Sequence, residues 1–334
     1  MESKIDFIIY WVDGNDPEWQ KNRAMYLPDK GVDSRPSRYR DMGTLRFIFR
    51  GIEKFAPWVN NVYFVTADQC PDWINRDNPK LKIINHKDYI PEEYLPTFSS
   101  HPIELNFHRI EGLSEQFVLV NDDCFFTAPV SPEDFFVDGK PVDIFVESPL
   151  QYKSDKVFNR ILFNNFSCIG RMFPNRPEYK KRLRNKILSP KYGAYFFYNL
   201  MTYMLPYKGF WGILTPHFMR PYRKADYIEM WEKEFELLDS TSKTRFRSEN
   251  DISIYLIRLW NLLNGNFVPG NVFGMGQAFV MKKDDENIYN AVRNGKYKMI
   301  CINDECDDDV FDICKKNLEQ AFLKLFPDKS SFEV

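Results

Sequence analysis

The chain of 334 residues is 44% hydrophobic and 28% charged, which is enough to build one large core or two modest ones. Its formal net charge of −2 argues against a protein that binds nucleic acid or a membrane through overall positive charge. Six cysteines without a CxxC pair favour a reducing compartment and disfavour a structural zinc site. The N-terminal apolar run is too short for a signal peptide or a membrane span, so we expect a cytosolic protein.

Apolar runs and helical periodicity alternate through the first half of the chain. Strands are predicted at Ile5–Val12, Val62–Thr66, Leu81–Ile84, Phe117–Val120 and Asp143–Val146, and helices at Met42–Phe55 and Pro102–Gly112. This alternation favours an α/β fold with a largely parallel sheet flanked by helices.

The second half of the chain begins with mixed aromatic and basic residues. The segment from Ser148 to about Pro216 predicts a mostly helical insertion that covers or borders a ligand site. Helices are then predicted at Lys224–Leu238, Asn250–Leu263 and Val310–Leu325, and a flexible glycine-rich loop at Gly270–Gln277.

Acidic residues follow two of the predicted strands, where ligands bind in open α/β sheets. Asp13 and Gly14 follow the first strand, and Asn121-Asp122-Asp123 follows the later one. Adjacent carboxylates suit a hard divalent cation, which would bridge the phosphates of a nucleotide. The same residues suit an ordinary polar turn, and the pattern alone does not decide between a cation site and a turn.

The stretch HPIELNFHRIEG places His101, Glu104, His108 and Glu111 on one face if it is helical. It lacks the HExxH spacing of a metalloprotease. Glu104 and His108 suit an acid–base or phosphate-binding pair, or the solvent-exposed face of an ordinary amphipathic helix.

A third group lies at His217, beside Arg220, Arg223 and Lys224, where cations next to a histidine suit a phosphate. Trp11, at the end of the first strand, could stack on a uracil or sugar ring, or pack in the core. The chain contains no P-loop, no GxGxxG and no GxSxG motif, which disfavours P-loop, dinucleotide-binding and serine-hydrolase enzymes.

Four blocks of this sequence, in order, resemble the Stealth family of sugar-phosphate transferases, bacterial capsular-polysaccharide enzymes similar to the catalytic part of animal GlcNAc-1-phosphotransferase. They are IDFIIYWVDGNDPEW, the stretch from RYRDMGTLRFIFRGIEKFAPWVNNVYFVT through HRIEGLSEQFVLVNDDCFF, TPHFMRPYRK with TRFRSENDISIYL, and CINDECDDD with LEQAFLKLFPDKSSFE. The first block departs from the family at Tyr10, where threonine is usual.

The resemblance implies a Rossmann-like, glycosyltransferase-A-like sheet flanked by helices. It implies a single catalytic domain over residues 3–334, with residues 148–214 as a variable, mostly helical spacer. The implied reaction transfers a sugar-1-phosphate from a nucleotide sugar, typically a UDP-hexose such as UDP-GlcNAc, to a hydroxyl of a capsular glycan, releases UMP and forms a phosphodiester. The acceptor would be a capsule chain or a lipid-linked primer. Any contact with the inner face of the bacterial membrane would be peripheral.

The resemblance and the residues discussed above together define the expected site. The expected catalytic residues are Glu104, Asp123, His217 and Arg247. The expected donor-binding residues are Asp6, Trp11, Asp13, Gly14, His108, Arg109, Asn121 and Asn303. A divalent cation, Mg²⁺ or Mn²⁺, is expected on Asp122, Asp123 and Asp304. Asp123 and His217 are the two candidates for the base that accepts the proton of the acceptor hydroxyl.

Two other functions are compatible with these residue types. A conventional glycosyltransferase would use Asn121–Asp123 as a metal-binding acidic motif, attack carbon instead of phosphorus, and release UDP. A non-catalytic glycan-binding component of capsule assembly would need none of the reactive side chains.

Overall fold

The computed structural model describes residues 4–28, 39–149 and 157–334 of the chain. The part of the predicted spacer at 150–156 lies outside the described residues. The strands are β1 (Ile5–Tyr10), β2 (Val62–Thr66), β3 (Leu81–Asn85), β4 (Gln116–Val120), β5 (Cys124–Phe126), β6 (Phe136–Val137), β7 (Lys140–Asp143), β8 (Arg220–Arg223), β9 (Val268–Pro269), β10 (Gly276–Met281) and β11 (Met299–Asp304).

Helices surround these strands. The α-helices are α1 (Pro17–Tyr26), α2 (Leu45–Phe55), α3 (Ser100–Leu105), α4 (Val157–Met172), α5 (Arg176–Arg182), α6 (Arg184–Ile187), α7 (Tyr195–Met204), α8 (Lys224–Lys233), α9 (Phe235–Ser242), α10 (Tyr255–Asn264), α11 (Val272–Met275), α12 (Glu286–Asn294) and α13 (Asp308–Leu325). Short 3₁₀ turns lie at His86–Asp88, Glu92–Tyr94, Phe107–Arg109, Pro132–Asp134 and Pro190–Tyr192.

The main sheet has the strand order β3-β2-β1-β4-β8. Strands β1 to β4 are parallel, and β8 runs antiparallel to β4. The predicted α/β class with a parallel-rich sheet flanked by helices is therefore confirmed. Every residue of β2 and β4 is buried, as expected for strands covered on both faces. This burial explains why Val62–Val65 and Phe117–Val120 are runs without a charged residue.

A smaller sheet joins the main sheet at the carboxyl end of β4. Only the turn Asn121–Asp123 separates β4 from β5, and β5 pairs antiparallel with β11, which lies beside β10. Helix α2 covers this junction, and Phe47 of α2 stacks on Phe322 of α13 with ring centroids 5.0 Å apart. The turn is therefore held by two sheets at once.

Several predicted elements differ from the observed ones. The helix predicted at Pro102–Gly112 ends at Leu105, because the Asn106 side chain donates to the Pro102 carbonyl and the backbone leaves the helical region. The strand predicted at Asp143–Val146 lies earlier, at Lys140–Asp143. The glycine-rich segment predicted as a flexible loop forms α11 and the start of β10. The helix predicted at Lys224–Leu238 is two helices, α8 and α9.

Helices α4 to α7 lie within the predicted, mostly helical insertion, and residues 205–216, which follow α7, are not helical. No helix among the described residues combines the length and the apolar character needed to cross a bilayer.

Candidate active site

The site lies at the carboxyl ends of the two central strands. Strands β1 and β4 are parallel neighbours, so Tyr10 and Trp11 at the end of β1 come close to Asn121 at the end of β4. They line a cleft of about 630 Å³. The main sheet therefore brings together two segments that are more than a hundred residues apart in sequence.

A chain of two hydrogen bonds joins three residues in this part of the cleft wall. The Asn121 amide Nδ2 donates to the Tyr10 hydroxyl at 2.9 Å, and that hydroxyl donates to Glu104 Oε1 at 2.7 Å. Burial and the Glu104 carboxylate raise the pKa of Tyr10 well above its usual value, so the hydroxyl keeps its proton. Tyr10, which departs from the family pattern, thus connects two of the predicted site residues.

Asp123 and His217 form the central pair of the cleft. The His217 Nε2 lies 3.2 Å from Asp123 Oδ2, and His217 Nδ1 lies 3.3 Å from the Tyr255 hydroxyl. Arg220 Nη1 donates to the same hydroxyl at 2.7 Å. Because β8 is antiparallel to β4, its first residue, Arg220, pairs with Leu119 near the end of β4, which brings His217 to the cleft.

Charge couples this pair. Burial alone would raise the pKa of Asp123, but the imidazole of His217 and the thiols of Cys301 and Cys124 lower it to about 2. Burial would lower the pKa of His217, but the Tyr255 hydroxyl and the Asp123 carboxylate outweigh it and raise this pKa well above its usual value. Each residue of the pair therefore stabilises the charged form of the other.

Two thiols complete the surroundings of Asp123. Cys124 Sγ and Cys301 Sγ each lie 3.3 Å from an Asp123 carboxylate oxygen. Among the described residues, the group of possible metal ligands whose ligand atoms all lie within 4.8 Å of one another is Asp123, Cys124, His217 and Cys301.

The predicted set of three metal-binding carboxylates is not formed among the described residues. Asp304 accepts from Arg40 Nε at 2.8 Å and from the Cys306 backbone N–H at 2.9 Å, which occupies its oxygens. Asp122 is open to the cleft. Desolvation by the surrounding protein and, after it, the negative charges of Asp123 and Asp41 raise the pKa of this carboxyl to about 7. Asp122 is thus the predicted ligand that stays accessible to a cation.

Arg247 and Asn303 also line the cleft. Arg247 Nη2 donates to the Ser100 hydroxyl at 2.9 Å, which fixes the guanidinium beside α3. Asn303 lies on β11, opposite the β1 side of the cleft. Trp11 is nearly buried and stacks on Phe64 with ring centroids 5.9 Å apart, so core packing accounts for much of its surface.

Five predicted donor-binding residues, Asp6, Asp13, Gly14, His108 and Arg109, do not line this cleft. Asp6 is fully buried toward the opposite end of β1, where its carboxylate accepts from the backbone N–H of Asn61 and of Ser114 at 3.0 and 2.7 Å. This places Asp6 as an anchor of the sheet. His108 packs against the rings of Tyr227 and Trp231.

Burial, followed by the nearby cations Arg109 and Lys224, lowers the pKa of His108 to about 3. Arg109 lies over the Trp231 ring, 4.9 Å from its centroid. His108 leaves the predicted polar face because α3 ends at Leu105.

Gly14 packs closely against the backbone of Tyr39, since a Cβ at this position would lie 2.1 Å from the Tyr39 carbonyl oxygen. Asp13 lines an adjoining cleft of about 720 Å³ that shares Trp11, Asp41 and Leu45 with the first.

Of the predicted cation cluster, only Arg220 lines the cleft. Arg223 pairs with Asp226, and Lys224 faces the carbonyls of Ile110 and Leu113. Sequence reasoning missed Tyr255 and both thiols as site residues. Tyr255 stands in an apolar helical run that looks like core, and the thiols meet only through the β5–β11 pairing.

Comparisons with known proteins identify the family. Family models of the Stealth protein match conserved region 1 at residues 3–31, conserved region 2 at 38–143 and conserved region 4 at 290–334. The capsular polysaccharide phosphotransferase WcwK of Streptococcus pneumoniae is 37% identical, over 99% of this chain and 98% of that protein. The chain belongs to the Stealth family.

Other relatives carry similar names. The receptor polysaccharide phosphotransferase WefC of Streptococcus gordonii is 37% identical over all of both chains, and the exopolysaccharide phosphotransferase cps2G of Lactiplantibacillus plantarum is 38% identical over 98% of this chain and 96% of that protein. The predicted enzyme class, phosphotransferase, is confirmed. The predicted block that carries His217 and Arg247 lies outside the three matched regions.

Among solved structures, the chain is similar to the galactosyltransferase LgtC in complex with donor and acceptor sugar analogues, with a TM-score of 0.39 and 8% identity over 95% of each chain. Mouse xyloside xylosyltransferase 1 matches with a TM-score of 0.37 and 9% identity, over 89% of this chain and 97% of that one.

Proposed function

We propose that this enzyme transfers a sugar-1-phosphate from a UDP-hexose such as UDP-GlcNAc to a hydroxyl of a capsular glycan. The acceptor is a capsule chain or a lipid-linked primer, and the products are UMP and a phosphodiester. The relatives named above, which are capsular, receptor and exopolysaccharide phosphotransferases, support this substrate class. The use of a nucleotide sugar places the reaction in the cytoplasm, where the chain would at most touch the membrane surface.

One observation carries the proposal. Two buried polar atoms of cleft residues have no hydrogen-bond partner among the described residues, the acceptor Asn121 Oδ1 and the cationic donor Arg220 Nε. Buried polar atoms of native proteins are normally paired, so an unpaired acceptor and an unpaired N–H of a guanidinium in one cleft wall indicate a ligand with both a hydroxyl and an anion. A sugar phosphate has this combination.

The acceptor hydroxyl attacks the phosphorus that bears the sugar. A new oxygen–phosphorus bond forms as the anhydride bond to UMP breaks. The hydroxyl proton passes to the carboxylate of the Asp123–His217 pair, because the raised pKa of His217 keeps its imidazole protonated, 3.2 Å from Asp123 Oδ2. Tyr255 holds the imidazole from its other side. Arg220 and Arg247 supply positive charge for the non-bridging oxygens.

A divalent cation fits beside Asp122. This carboxylate is open to the cleft, and the negative charges of Asp123 and Asp41 act on it. Such oxygen ligands suit Mg²⁺ or Mn²⁺. When bound, the cation would neutralise the diphosphate and the departing UMP.

The test is a product analysis. The protein is incubated with Mg²⁺ or Mn²⁺, a panel of nucleotide sugars and capsule-derived oligosaccharides, and the nucleotides are separated. We expect UMP that appears only when acceptor is present. Release of UDP would overturn the proposal and indicate a conventional glycosyltransferase.

A further inference from the structure

The four groups around Asp123 have the composition of a soft-metal site. They are one carboxylate, one imidazole and the thiols of Cys124 and Cys301, and their ligand atoms all lie within 4.8 Å of one another. We propose that this cluster binds Zn²⁺ in tetrahedral coordination and that the bound ion blocks the Asp123–His217 pair.

The spacing of the ligand atoms supports this geometry. Zinc lies about 2.0 Å from nitrogen or oxygen and about 2.3 Å from sulfur, so the edges of its tetrahedron measure roughly 3.3 to 3.8 Å. Asp123 Oδ2 lies 3.2 Å from His217 Nε2 and 3.3 Å from Cys301 Sγ, and these two contacts are close to the edges that zinc requires. Cys124 Sγ lies 3.3 Å from the other oxygen, Asp123 Oδ1, and all four ligand atoms fall within 4.8 Å of one another.

The strands hold the two thiols face to face. Cys124 of β5 pairs directly with Cys301 of β11. The Ile302 N–H donates to the Asp123 carbonyl at 2.9 Å and the Thr127 N–H to the Lys298 carbonyl at 3.1 Å, so the cysteines occupy a non-hydrogen-bonded position, where facing side chains are closest. Both thiols are buried and free of disulfides.

The surroundings of His217 also suit metal ligation. A ligating histidine normally binds a second group through its other ring nitrogen, and His217 Nδ1 faces the Tyr255 hydroxyl. Two thiolates, a carboxylate and Zn²⁺ sum to one negative charge, and the guanidinium of Arg220 lies next in this network, 2.7 Å from the same hydroxyl. Thiolates favour Zn²⁺ over Mg²⁺ or Mn²⁺, so this site differs from the one at Asp122.

Binding is tested without substrate, so that it does not depend on the proposed function. The metal-free protein is titrated with Co²⁺, which reports on zinc sites. We expect one equivalent to produce a thiolate-to-cobalt charge-transfer band and the visible bands of tetrahedral cobalt, and Zn²⁺ to displace them. Binding without a thiolate band, or no binding, would overturn the proposal on the wild-type protein alone.

Variants identify the ligands. Cys301→Ser and Cys124→Ser should lose the charge-transfer band. Cys70→Ser, which changes the half-buried thiol outside the cluster, should keep it. Circular dichroism checks that each variant is folded. A band that survives in both cluster variants would overturn the assignment.

The inhibition of turnover by zinc rests on the proposed function. A second assay therefore tests this inhibition separately from metal binding. We expect Zn²⁺ to inhibit UMP release by the wild type, and Cys301→Ser to be at least about 10-fold less sensitive relative to its own zinc-free rate. If cobalt reports the site but zinc leaves the wild-type rate unchanged, the metal site stands and the role of Asp123 and His217 in turnover is overturned.

A separate observation concerns helix α7, whose polarity is inverted. Its exposed residues include Phe197 (71% exposed), Met201 (59%) and Met204 (76%), at helical spacing along one stripe. Its buried residues include the polar Asn199 and Thr202. A helix on the surface of a soluble protein normally exposes polar residues and buries apolar ones. An exposed apolar stripe therefore marks an interaction surface.

Cations are concentrated in the part of the sequence that contains this stripe. The segment from Arg176 to Trp211 contains eight lysines and arginines and one acidic residue, although the whole chain has a net charge of −2. The exposed cations of the segment include Lys181, Arg184, Lys191 and Lys208. We infer that α7 rests on an anionic lipid bilayer, because an exposed apolar stripe within a cation-rich segment matches the interface between acyl chains and acidic headgroups.

Vesicle sedimentation tests this inference. We expect the protein to bind vesicles that contain phosphatidylglycerol more tightly than vesicles of phosphatidylcholine alone. The double variant Phe197→Ser/Met204→Ser should bind at least about 10-fold more weakly. Ile313→Ser, which removes an apolar residue of α13 that is 50% exposed, should bind like the wild type.

Three outcomes would overturn the inference. The wild type could fail to bind anionic vesicles, or the α7 and α13 variants could lose binding equally. Alternatively, light scattering could show a lipid-free dimer that the α7 variant abolishes, which would assign this stripe to a second copy of the chain.

Discussion

At the scale of single residues, the candidate site depends on the pair that connects two distant segments, Asp123 and His217, whose polar atoms are 3.2 Å apart. We expect Asp123→Asn and His217→Ala each to lower the rate of UMP release by at least about 10²-fold, because each removes part of the proton acceptor. Melting temperatures should stay within a few degrees of the wild type, since both side chains are partly exposed. Asp284→Asn, on the surface away from the cleft, serves as the control and should retain the wild-type rate. A variant that unfolds or keeps full activity would leave the catalytic set.

The two arginines near residue 246 provide a matched pair for the donor side. Arg247 lines the cleft, whereas Arg245 lies over the Tyr26 ring, 4.8 Å from its centroid. We expect Arg247→Ala to lower kcat/KM for the donor by about 10²-fold, corresponding to on the order of 3 kcal/mol of lost transition-state stabilisation. The KM for the acceptor should change little, and Arg245→Ala should behave like the wild type in both assays. An equal loss for donor and acceptor would indicate a structural role for Arg247.

At the scale of elements, the turn that follows β3 contains a buried histidine with an acid-sensitive effect on stability. Burial lowers the pKa of His86 from 6.5 to about 4, and the more distant Asp68 opposes this only partly. Below pH 6.5 the unfolded chain binds a proton there that the folded chain does not, so stability falls as the pH decreases toward 4. Between pH 7 and pH 5 this group should remove about 2 kcal/mol of the free energy of unfolding.

Urea denaturation at the two pH values, on the wild type and on His86→Asn, measures this contribution. The variant should lose about 2 kcal/mol less than the wild type over this interval. Identical losses would show that His86 titrates alike in the folded and unfolded chains. Both proteins share every other titrating group, so the difference isolates this one.

Elements also show how far the sequence predicts the site. The ends of β1 and β4 could be located because unbroken apolar runs are followed by acidic residues, and these ends do contain Trp11, Asn121, Asp122 and Asp123. The end of α3 could not be located, since it depends on Asn106, whose amide donates both to Pro102 and to Ser242 of α9. That second contact is a tertiary one, and it separates Glu104 in the cleft from His108 outside it.

The thiols show a different limit of sequence reasoning. Cys124 and Cys301 are 177 positions apart, and only the register of β5 against β11 brings them together. Nothing in the sequence around Tyr255 distinguishes its hydroxyl from that of a core tyrosine. Pairing register and side-chain direction are properties of the assembled sheet, so these residues needed the structure.

At the scale of the whole molecule, a buried ion pair joins α2 to the end of the described chain. Arg50 donates through Nε and Nη2 to the two Glu333 oxygens, both at 2.7 Å, and through Nη1 to the Phe326 carbonyl at 2.9 Å. We expect Glu333→Ala to lower the free energy of unfolding by about 3 to 5 kcal/mol, because it leaves a buried guanidinium without its partner.

The double variant Arg50→Met/Glu333→Leu tests the reason for that loss. Replacing both charges with apolar side chains of similar size should recover most of the stability, since no uncompensated charge remains. Denaturation of the two variants and the wild type measures the difference. A double variant as unstable as Glu333→Ala would show that the loss comes from packing and not from the stranded charge.

The same ion pair bears on the order in which the protein can become stable during its synthesis. Arg50 leaves the ribosome 283 residues before Glu333. Strands β1 to β4 and helix α2 can pair as they emerge, because their partners lie in the first part of the chain, but α2 has to accommodate a charged side chain without its counter-ion throughout that interval. We therefore expect a nascent chain that stalls before Glu333 to be less stable than the finished protein and more often bound by chaperones or cut by proteases.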